Sequence, residues 1–220
     1  MKVVILGGGE SGFGAAYLAK KKGFEVFLSD KGMIREEYKN RLTEHNIPFE
    51  EGCHTEERVL SADWVIKSPG IPKKSEIVQK VKQKGIRLSS EIEFASAFTE
   101  AKIIAITGSN GKTTTTSLIY HILKNAGLNA GLGGNIGTSF AKQVADENYD
   151  YFVLELSSFQ LDDFQNFSPY ISLLLNLSPD HLDQYNYQYE EYALAKFKIA
   201  QNQEPQDFFI YNQDDEMSTR

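Results

Sequence analysis

The chain begins with MKVVILGGGESGFGAAYLAKKKGFEVFLSD (residues 1–30), in which a short apolar run leads into a glycine-rich turn and then into a helix-like segment. The glycines within residues 7–12 have the spacing G-x-G-x-x-G, and Asp30 ends the next apolar run about 20 residues further on. A strand, a glycine turn and a helix in this order predict the first unit of a Rossmann-like parallel sheet. The turn and the helix N-terminus would together hold a phosphate group.

The rest of the 220 residues continues this alternation. Apolar runs of strand length alternate with helical patterns, which is typical of parallel sheets that are covered on both faces. Because a second strand, glycine turn and helix begins near residue 103, we predict an α/β fold with two domains, residues 1–99 and 100–220. The predicted strands lie at residues 3–6, 25–29, 64–68, 103–107, 151–156 and 171–177.

The composition narrows the class of protein. A net charge of −7 and a pI near 5.2 argue against an extended nucleic-acid surface, because such a surface needs clustered Lys and Arg. The single cysteine, Cys53, cannot form an internal disulfide, and the first apolar run is far too short for a signal sequence or a membrane span. We therefore expect a cytoplasmic protein with no nucleic-acid partner and no membrane partner.

The second glycine turn carries a phosphate-binding pattern. Residues 107–114, TGSNGKTT, follow an apolar strand and precede an amphipathic helix. Backbone amides at such a helix start bind phosphate, while Lys112 would reach the β- and γ-phosphates of ATP and Thr113 would offer a hydroxyl to Mg²⁺. Ile106 stands where the strict P-loop pattern has its first glycine, so the loop is a variant. The predicted ATP-binding residues are Gly108, Ser109, Asn110, Gly111, Lys112, Thr113 and Thr114.

A carboxylate should lie beside this loop. Glu155 is near the end of the apolar run 151–156, and ligands of open α/β sheets collect at the carboxyl ends of the strands. Mg²⁺ prefers one or two carboxylates together with phosphate oxygens and water. Glu155 is therefore a predicted Mg²⁺ ligand.

A lysine lies within an apolar helical stripe near the end of the chain. On a helix, YQYEEYALAKFKIAQNQ (residues 187–203) places Lys196 on the apolar face and Lys198 on the opposite, polar face. A lysine in such a stripe either extends its ammonium to solvent or has a buried partner, because an unpaired buried ammonium is costly. The predicted apolar face consists of Tyr189, Tyr192, Ala193, Lys196, Ile199 and Ala200.

Four motifs in order carry a resemblance to a known family. TGSNGKTT at 107–114, GGNIG at 133–137, LELSSFQL at 154–161 and NLSPDHLDQY at 176–185 resemble the Mur ligases, ATP-dependent amide ligases of peptidoglycan assembly. Together with the N-terminal glycine loop, LELSSFQL most resembles the members that add D-glutamate. The resemblance implies that ATP, UDP-N-acetylmuramoyl-L-alanine and D-glutamate react through an acyl phosphate. It also implies a monomeric full-length enzyme with a third domain that this chain lacks, so we expect these 220 residues alone to be inactive.

The resemblance also implies roles for individual residues. Thr113 and Glu155 would hold one Mg²⁺, while His181 and a carbamylated Lys196 would hold a second. The implied catalytic residues are Lys112, Asn135, His181 and Lys196. The implied substrate contacts are Asn135 and Ser157 near the reacting carboxylate, and Ser11, Gly12, Asp30, Lys31, Ser68, Pro69 and Gly70 around the UDP group.

Two other functions remain open from the sequence. The spacing of the first loop, with Asp30 placed for a ribose hydroxyl, also fits an NAD-dependent oxidoreductase. That function would leave the loop at 107–114 without a purpose, and a nucleotide-binding regulatory module is the other alternative. Glu10 lies inside the first loop, where its charge would repel a phosphate, so we expect its side chain to point to solvent.

Overall fold

The computed structural model describes residues 1–180 and 182–219. The chain folds into two compact units, one formed by Met1–Thr99 with Ser139–Glu147 and the other by Glu100–Thr138 with Asn148–Arg220. Each unit contains a five-stranded parallel sheet, so the predicted α/β class is confirmed. Within the described ranges, no helix is both long enough and apolar enough to cross a membrane.

The sheet of the first unit has the strand order β3-β2-β1-β4-β5, which is the Rossmann order. Its strands are β1 (Lys2–Leu6), β2 (Glu25–Ser29), β3 (Phe49–Glu50), β4 (Trp64–Lys67) and β5 (Arg87–Ser90). The chain reverses direction across the sheet between β1 and β4, where ligands of such sheets bind. The helices are α1 (Glu10–Lys21), α2 (Glu36–Glu44), α3 (Glu56–Leu60), α4 (Glu76–Gln83) and α5 (Glu91–Ser96).

The burial of the central strands explains why their sequences are apolar runs. Residues 3–6 of β1 are fully buried, and β4 is buried along its whole length. Strands that lie between helix layers have no solvent face, so their sequences are continuously apolar rather than alternating. The two-residue strand β3 and the strand β5, RLSS, carry no such run, and the sequence did not predict them.

The sheet of the second unit has the order β10-β9-β6-β8-β7. Its strands are β6 (Lys102–Thr107), β7 (Ala130–Gly134), β8 (Tyr151–Glu155), β9 (Ile171–Leu174) and β10 (Phe208–Tyr211). The helices are α6 (Lys112–Asn125), α8 (Ser158–Asp162) and α9 (Tyr189–Phe197), with 3-10 turns at Leu182–Tyr185 and Lys198–Ala200. Strands β6 and β8 are neighbours, so the loop after β6 lies beside the end of β8.

One helix belongs to a different unit from its neighbours in sequence. Helix α7 (Phe140–Asp146) connects β7 to β8 but packs against α1 and α5 of the first unit. Its N-cap, Ser139, accepts a hydrogen bond from the Lys142 amide and donates its hydroxyl to Glu91 Oε1, at 2.7 Å. Glu91 also accepts from the Ala141 amide at 2.7 Å, so a buried carboxylate fixes the start of this helix.

Candidate functional site

The loop of residues 107–114 has the strand–turn–helix geometry that the sequence predicts. Strand β6 ends at Thr107 and α6 begins at Lys112, so the first-turn amides of α6 have no partner within the helix. The Lys112 ammonium lies over the loop, donating to the carbonyls of Gly108 at 2.9 Å and Ser109 at 3.0 Å. Lys112 is thus placed at the helix start, where an incoming phosphate would meet both its charge and the free amides.

The tip of this loop is clamped by Asn176, which follows β9. The Asn176 carbonyl accepts from the Ser109 amide at 3.0 Å. Its side chain accepts from the Asn110 amide at 2.9 Å and donates to the Asn110 carbonyl at 3.1 Å. The amides of Ser109 and Asn110 are therefore engaged within the protein, so a phosphate at this loop would have to meet the first-turn amides of α6 instead.

Glu155 lies at the end of β8 with both carboxylate oxygens bound by neutral donors. Oε2 accepts from the Thr113 hydroxyl and Oε1 from the Asn135 side-chain amide, each at 2.8 Å. The residue is 2% exposed, and a carboxylate so deeply buried needs positive charge nearby. Its neighbours Thr113 and Asn135 are both exposed, so a cation reaching this cluster from solvent would meet oxygen ligands.

A single buried carboxylate is consistent with Mg²⁺ chemistry. Within residues 1–180 and 182–219, no group of three or more His, Cys, Asp or Glu side chains is placed to hold a metal ion. Mg²⁺ needs no such cage, since it normally binds one or two carboxylates plus phosphate oxygens and water. The oxygens of Glu155 and Thr113 therefore fit the ion that the sequence predicts. Of the two other predicted ligands, His181 and Lys196, His181 lies outside the described residues.

Lys196, which the sequence places on the apolar face of the helix, is buried, with 2% exposure. Its ammonium donates to the Gly108 carbonyl at 2.9 Å and lies 4.7 Å from the centre of the Tyr192 ring. Burial and the nearby Lys112 charge lower the pKa of Lys196 to about 7. By contrast, Lys198 donates to the Asp162 carbonyl and not to the loop of residues 107–114, which we call the phosphate loop. The structure therefore decides for the buried, partnered lysine of the two alternatives, and its partner is the carbonyl that Lys112 also contacts, which the sequence did not indicate.

Ser157, a predicted substrate contact, forms a capping box at the start of α8. Its hydroxyl accepts from the Gln160 amide, and the Gln160 side chain accepts from the Ser157 amide at 2.9 Å. The hydroxyl also lies 3.0 Å from Gln160 Oε1. The Ser157 side chain is therefore already engaged in this structure, and contact with a substrate would add to that bond or replace it.

The glycine loop of the first unit leaves room for a ligand. A Cβ at Gly12 would come within 1.8 Å of the Gly7 carbonyl oxygen, so the start of α1 requires glycine there. A Cβ at Gly9 would meet no atom within 4 Å. The folded chain itself thus places no steric demand on Gly9, which fits a glycine that lets a phosphate approach the backbone.

The loop after β4 lies against this glycine loop. Ser68 Oγ is buried and has no hydrogen-bond partner among the described residues, and a Cβ at Gly7 would come within 2.7 Å of it. An unsatisfied buried hydroxyl marks a position where a ligand atom could bond. Ser11 and Gly12 lie in the first turn of α1, and a Cβ at Gly12 would come within 3.4 Å of Ser68 Oγ, so the start of this helix lies close to the loop of Ser68 and Pro69.

Asp30 ties two loops together at the edge of a cavity. Its carboxylate accepts from the Gly8 amide at 2.6 Å and from the Gly32 amide at 2.7 Å. The predicted substrate contacts Asp30, Lys31 and Gly70 line a common cavity of about 560 Å³. Other residues of its wall, which the sequence did not indicate, include Cys53, His54, Ser75 and Lys80.

The expectation for Glu10 was wrong. Its side chain is only 35% exposed, pairs with Arg41 at 3.5 Å and accepts from the Ser139 amide at 3.2 Å. The carboxylate is therefore partly neutralised by groups that are distant in sequence, which is why the isolated loop motif could not indicate its direction.

The chain is similar to known Mur ligases. A family model for the Mur ligase middle domain matches residues 106–220, and one for the MurD N-terminal domain matches residues 2–77. The UDP-N-acetylmuramoylalanine–D-glutamate ligase of Christiangramia forsetii is 57% identical over 218 residues, covering 99% of this chain and 49% of that protein. The enzyme of that name from Bacteroides fragilis is 57% identical over 219 residues, covering 100% and 49%. The chain thus spans about half the length of the curated relatives it matches.

Solved structures of Mur-type ligases share the fold. A UDP-N-acetylmuramate:L-alanyl-gamma-D-glutamyl-meso-diaminopimelate ligase from Neisseria meningitides aligns over 99% of this chain and 73% of that one, with a TM-score of 0.67 and 22% identity. The UDP-N-acetylmuramate-alanine ligase MurC from Thermotoga maritima gives 0.62 and 23%, covering 100% and 50%. These identities support the architecture alone. The second unit contains a variant P-loop together with Glu155 and Lys196, and the middle-domain model matches residues 106–220, which is more than half of the 220 residues. The chain therefore belongs to the Mur ligase family.

Proposed function

We propose that the full-length protein is an ATP-dependent ligase that adds D-glutamate to UDP-N-acetylmuramoyl-L-alanine. The proposal rests on one observation about the loop of residues 107–114: Lys112, Lys196 and the Thr113–Glu155 pair all lie at this loop. The relatives named above at 57% identity are ligases for these substrates. The reaction needs both ATP and a UDP-linked acceptor, metabolites of the cytoplasm, which is where we place the enzyme.

The proposed reaction has two bond-forming steps. A carboxylate oxygen of the alanyl group attacks the γ-phosphorus of ATP, and ADP leaves. The amine of D-glutamate then attacks the acyl carbon, loses a proton to a base, and inorganic phosphate leaves. Each step places several negative oxygens close together, so the site must supply positive charge where that charge develops.

The chain's own groups are arranged for this electrostatic task. Lys112 would exchange its two loop carbonyls for phosphate oxygens, which are stronger acceptors because they are charged. Glu155 and Thr113 would hold Mg²⁺, which when bound neutralises phosphate oxygens. Asn135 would keep Glu155 oriented through the hydrogen bond to Oε1 while contacting the substrate.

Lys196 is suited to carbamylation. A neutral amine attacks the carbon of CO₂, an N–C bond forms and a proton passes to solvent, leaving a carbamate. A pKa of about 7 keeps a large fraction of Lys196 neutral at physiological pH. The modified side chain, together with His181, would then hold a second Mg²⁺.

The first unit would bind the UDP group. Gly9, Gly12 and the α1 N-terminus offer a pyrophosphate cradle, and Ser68 adds an unpaired hydroxyl. The adjoining cavity, lined by Asp30, Lys31 and Gly70, would take the nucleoside. We therefore assign UDP binding to the first unit and ATP binding to the second.

Parallel titrations test the assignment. The chain is titrated with UDP, with NADH and with Mg·ATP, using Lys112→Met as the control that removes the phosphate-binding charge. We expect UDP and Mg·ATP to bind independently, and Lys112→Met to weaken ATP alone by at least about tenfold, the usual cost of a charged hydrogen bond. Binding of NADH without UDP would replace the ligase by an oxidoreductase, and ATP affinity unchanged in Lys112→Met would remove the assigned ATP site.

A further inference from the structure

A hydrogen-bonded chain of three side chains ends at the wall of the cavity in the first unit. Ser29, the last residue of β2, contacts Glu50 Oε1 at 2.7 Å and His54 Nδ1 at 2.6 Å. Glu50 ends β3, and His54 follows it in a short loop. His54 lines the cavity together with Asp30 and Lys31.

The carboxylate of Glu50 is held ionised. It accepts from the Thr55 amide at 2.7 Å and the Thr55 hydroxyl at 2.6 Å, besides the bond from Ser29. Burial alone would raise the pKa of Glu50, but these hydrogen bonds outweigh it and the pKa lies below its usual value. An ionised carboxylate can only accept, so the single hydroxyl proton of Ser29 must point to Glu50.

This arrangement determines the tautomer of His54. With its proton committed to Glu50, Ser29 Oγ can only accept from the imidazole, so Nδ1 of His54 carries a proton. Burial and the Lys31 charge lower the pKa of His54, against the opposing charges of Asp30 and Glu50, so the ring is neutral at pH 7. Nε2 is then a bare acceptor, and no hydrogen bond to it is found in the described part of the chain.

We propose that His54 is a specificity residue that selects uracil over cytosine. The inference rests on the proposed function, in which this cavity takes the nucleoside of a UDP-linked substrate. At position 3 of the ring, uracil carries an N–H and cytosine a lone pair. An unprotonated Nε2 accepts a hydrogen bond from the uracil N–H and repels the cytosine lone pair. This single atom therefore stabilises bound uracil and destabilises bound cytosine.

The size and chemistry of the cavity agree with this role. A volume of about 560 Å³ is within the range of pockets that enclose small ligands. The cavity adjoins the pyrophosphate cradle through Asp30, which binds the Gly8 amide of the glycine loop. A nucleoside diphosphate with its phosphates on that loop would therefore bring its base or ribose against this wall.

Competition between two nucleotides tests the proposal. The affinities of the chain for UDP and for CDP are measured for the wild type, for His54→Leu and for Ser29→Ala. His121→Leu is the matched control, because this exposed histidine lies on α6 in the other unit. We expect the wild type and the control to prefer UDP by about 10- to 100-fold, the range for a lost hydrogen bond with an unpaired polar group left behind.

His54→Leu and Ser29→Ala test two different features: the first removes the acceptor Nε2, and the second removes the hydrogen bond that fixes the tautomer of His54. His54→Leu should bring the UDP-to-CDP ratio close to one. Ser29→Ala keeps the imidazole but frees both tautomers, so its ratio should fall between those of the wild type and His54→Leu. The tautomer is read directly from the ¹⁵N shifts of the imidazole, which should show a protonated Nδ1 in the wild type.

The outcomes distinguish two failures. A wild-type chain that binds no uridine nucleotide contradicts the proposed function of the first unit, and the role of His54 falls with it. A wild-type chain that binds UDP but shows the same UDP-to-CDP ratio in His54→Leu overturns the role of His54 alone. A protonated Nε2 in the wild type overturns it as well, even if His54→Leu does not fold.

Discussion

Lys196 combines a pattern seen in the sequence with a contact seen in the structure, and the two together support its proposed role. The helical stripe of residues 187–203 placed this lysine on the apolar face and left open whether its ammonium reaches solvent, and in the structure the side chain is buried. Its acceptor, the Gly108 carbonyl, is 88 positions away in sequence, so no local pattern could have indicated it. That contact places the lysine against the phosphate loop, where a carbamate could hold a metal ion.

Removal of the Lys196 side chain is the direct test of its proposed role. In the full-length protein, we expect Lys196→Ala to lower ligase turnover by at least about 100-fold, the usual cost of removing one electrostatic group from a reacting site. Added acetate should restore part of the activity, because a free carboxylate can replace the carbamate. Lys198→Ala, which changes a lysine on the opposite face of the same helical segment, should leave turnover within about twofold. Full activity in Lys196→Ala would contradict the proposed role of Lys196.

At the scale of elements, two contacts position the glycine loop of the second unit and helix α7. Asn176 clamps the tip of the phosphate loop, and Glu91 caps the start of α7 through Ser139 and Ala141. Both use polar side chains that bind backbone groups of another element, as secondary structure leaves such groups unpaired at its ends. Asn176 belongs to the motif at residues 176–185, but the sequence indicated no role for it. No sequence pattern indicated the role of Glu91.

The Asn176 clamp should set the affinity for ATP. Asn176→Asp keeps the acceptor for the Asn110 amide but turns the donor into an oxygen that faces the Asn110 carbonyl. We expect Mg·ATP affinity to fall about tenfold in calorimetric titration, since a hydrogen bond is lost and a repulsion gained. Asn129→Asp is the matched control, because Asn129 also donates to a backbone carbonyl but lies before β7, away from the phosphate loop. Equal ATP affinity in both variants would show that the clamp does not matter for binding.

Glu91 should make the stability of the first unit depend on pH. Burial raises the pKa of Glu91 to about 7, against an ordinary value of 4.5, despite the hydrogen bonds from Ala141 and Ser139. Between these values the folded state binds a proton more tightly than the unfolded chain, so the free energy of unfolding decreases as pH rises from 4.5 to 7. The full effect is of order 3 kcal/mol.

Denaturant unfolding at several pH values measures this effect. We expect Glu91→Gln, which cannot ionise, to lose the decrease in unfolding free energy between about pH 5 and pH 7.5. Glu57→Gln alters an exposed carboxylate of the same unit and should keep the wild-type profile. A Glu91→Gln profile that matches the wild type would mean that Glu91 does not titrate in this range.

At the scale of the whole molecule, the second sheet ends in an apolar edge strand. All residues of β10 are exposed, among them Phe208 at 52% and Ile210 at 53%, and within the part of the chain that the structure describes β10 pairs with β9 alone. An exposed edge with apolar side chains can pair with another chain. This chain should therefore associate as its concentration rises.

A charge on the edge strand should suppress this association. Sedimentation velocity across a concentration series should show larger species for the wild type, and Ile210→Lys should shift the distribution to monomer. Leu194→Lys, which changes an exposed leucine away from the edge, should behave like the wild type. A wild-type chain that stays monomeric at high concentration would contradict the expectation.

The sequence predicted those parts of the fold that have a strong local pattern. The buried strands β1, β4, β6 and β8 appeared as apolar runs, and both glycine turns were placed correctly. The short strand β3 and the polar strand β5 have no such run, since their pairing partners define them. The packing of α7 in the first unit depends on Glu91 and Glu10, whose contacts with Ser139 span 48 and 129 positions.

The fate of a labelled oxygen tests the central claim most directly. The full-length protein is given ATP, Mg²⁺, D-glutamate and UDP-N-acetylmuramoyl-L-alanine that carries ¹⁸O in its alanyl carboxylate. If the carboxylate is phosphorylated and then attacked by the amine, each inorganic phosphate released carries one ¹⁸O atom, and amide forms in equal amount. Unlabelled phosphate, or ADP formed without amide, would contradict an acyl-phosphate ligase.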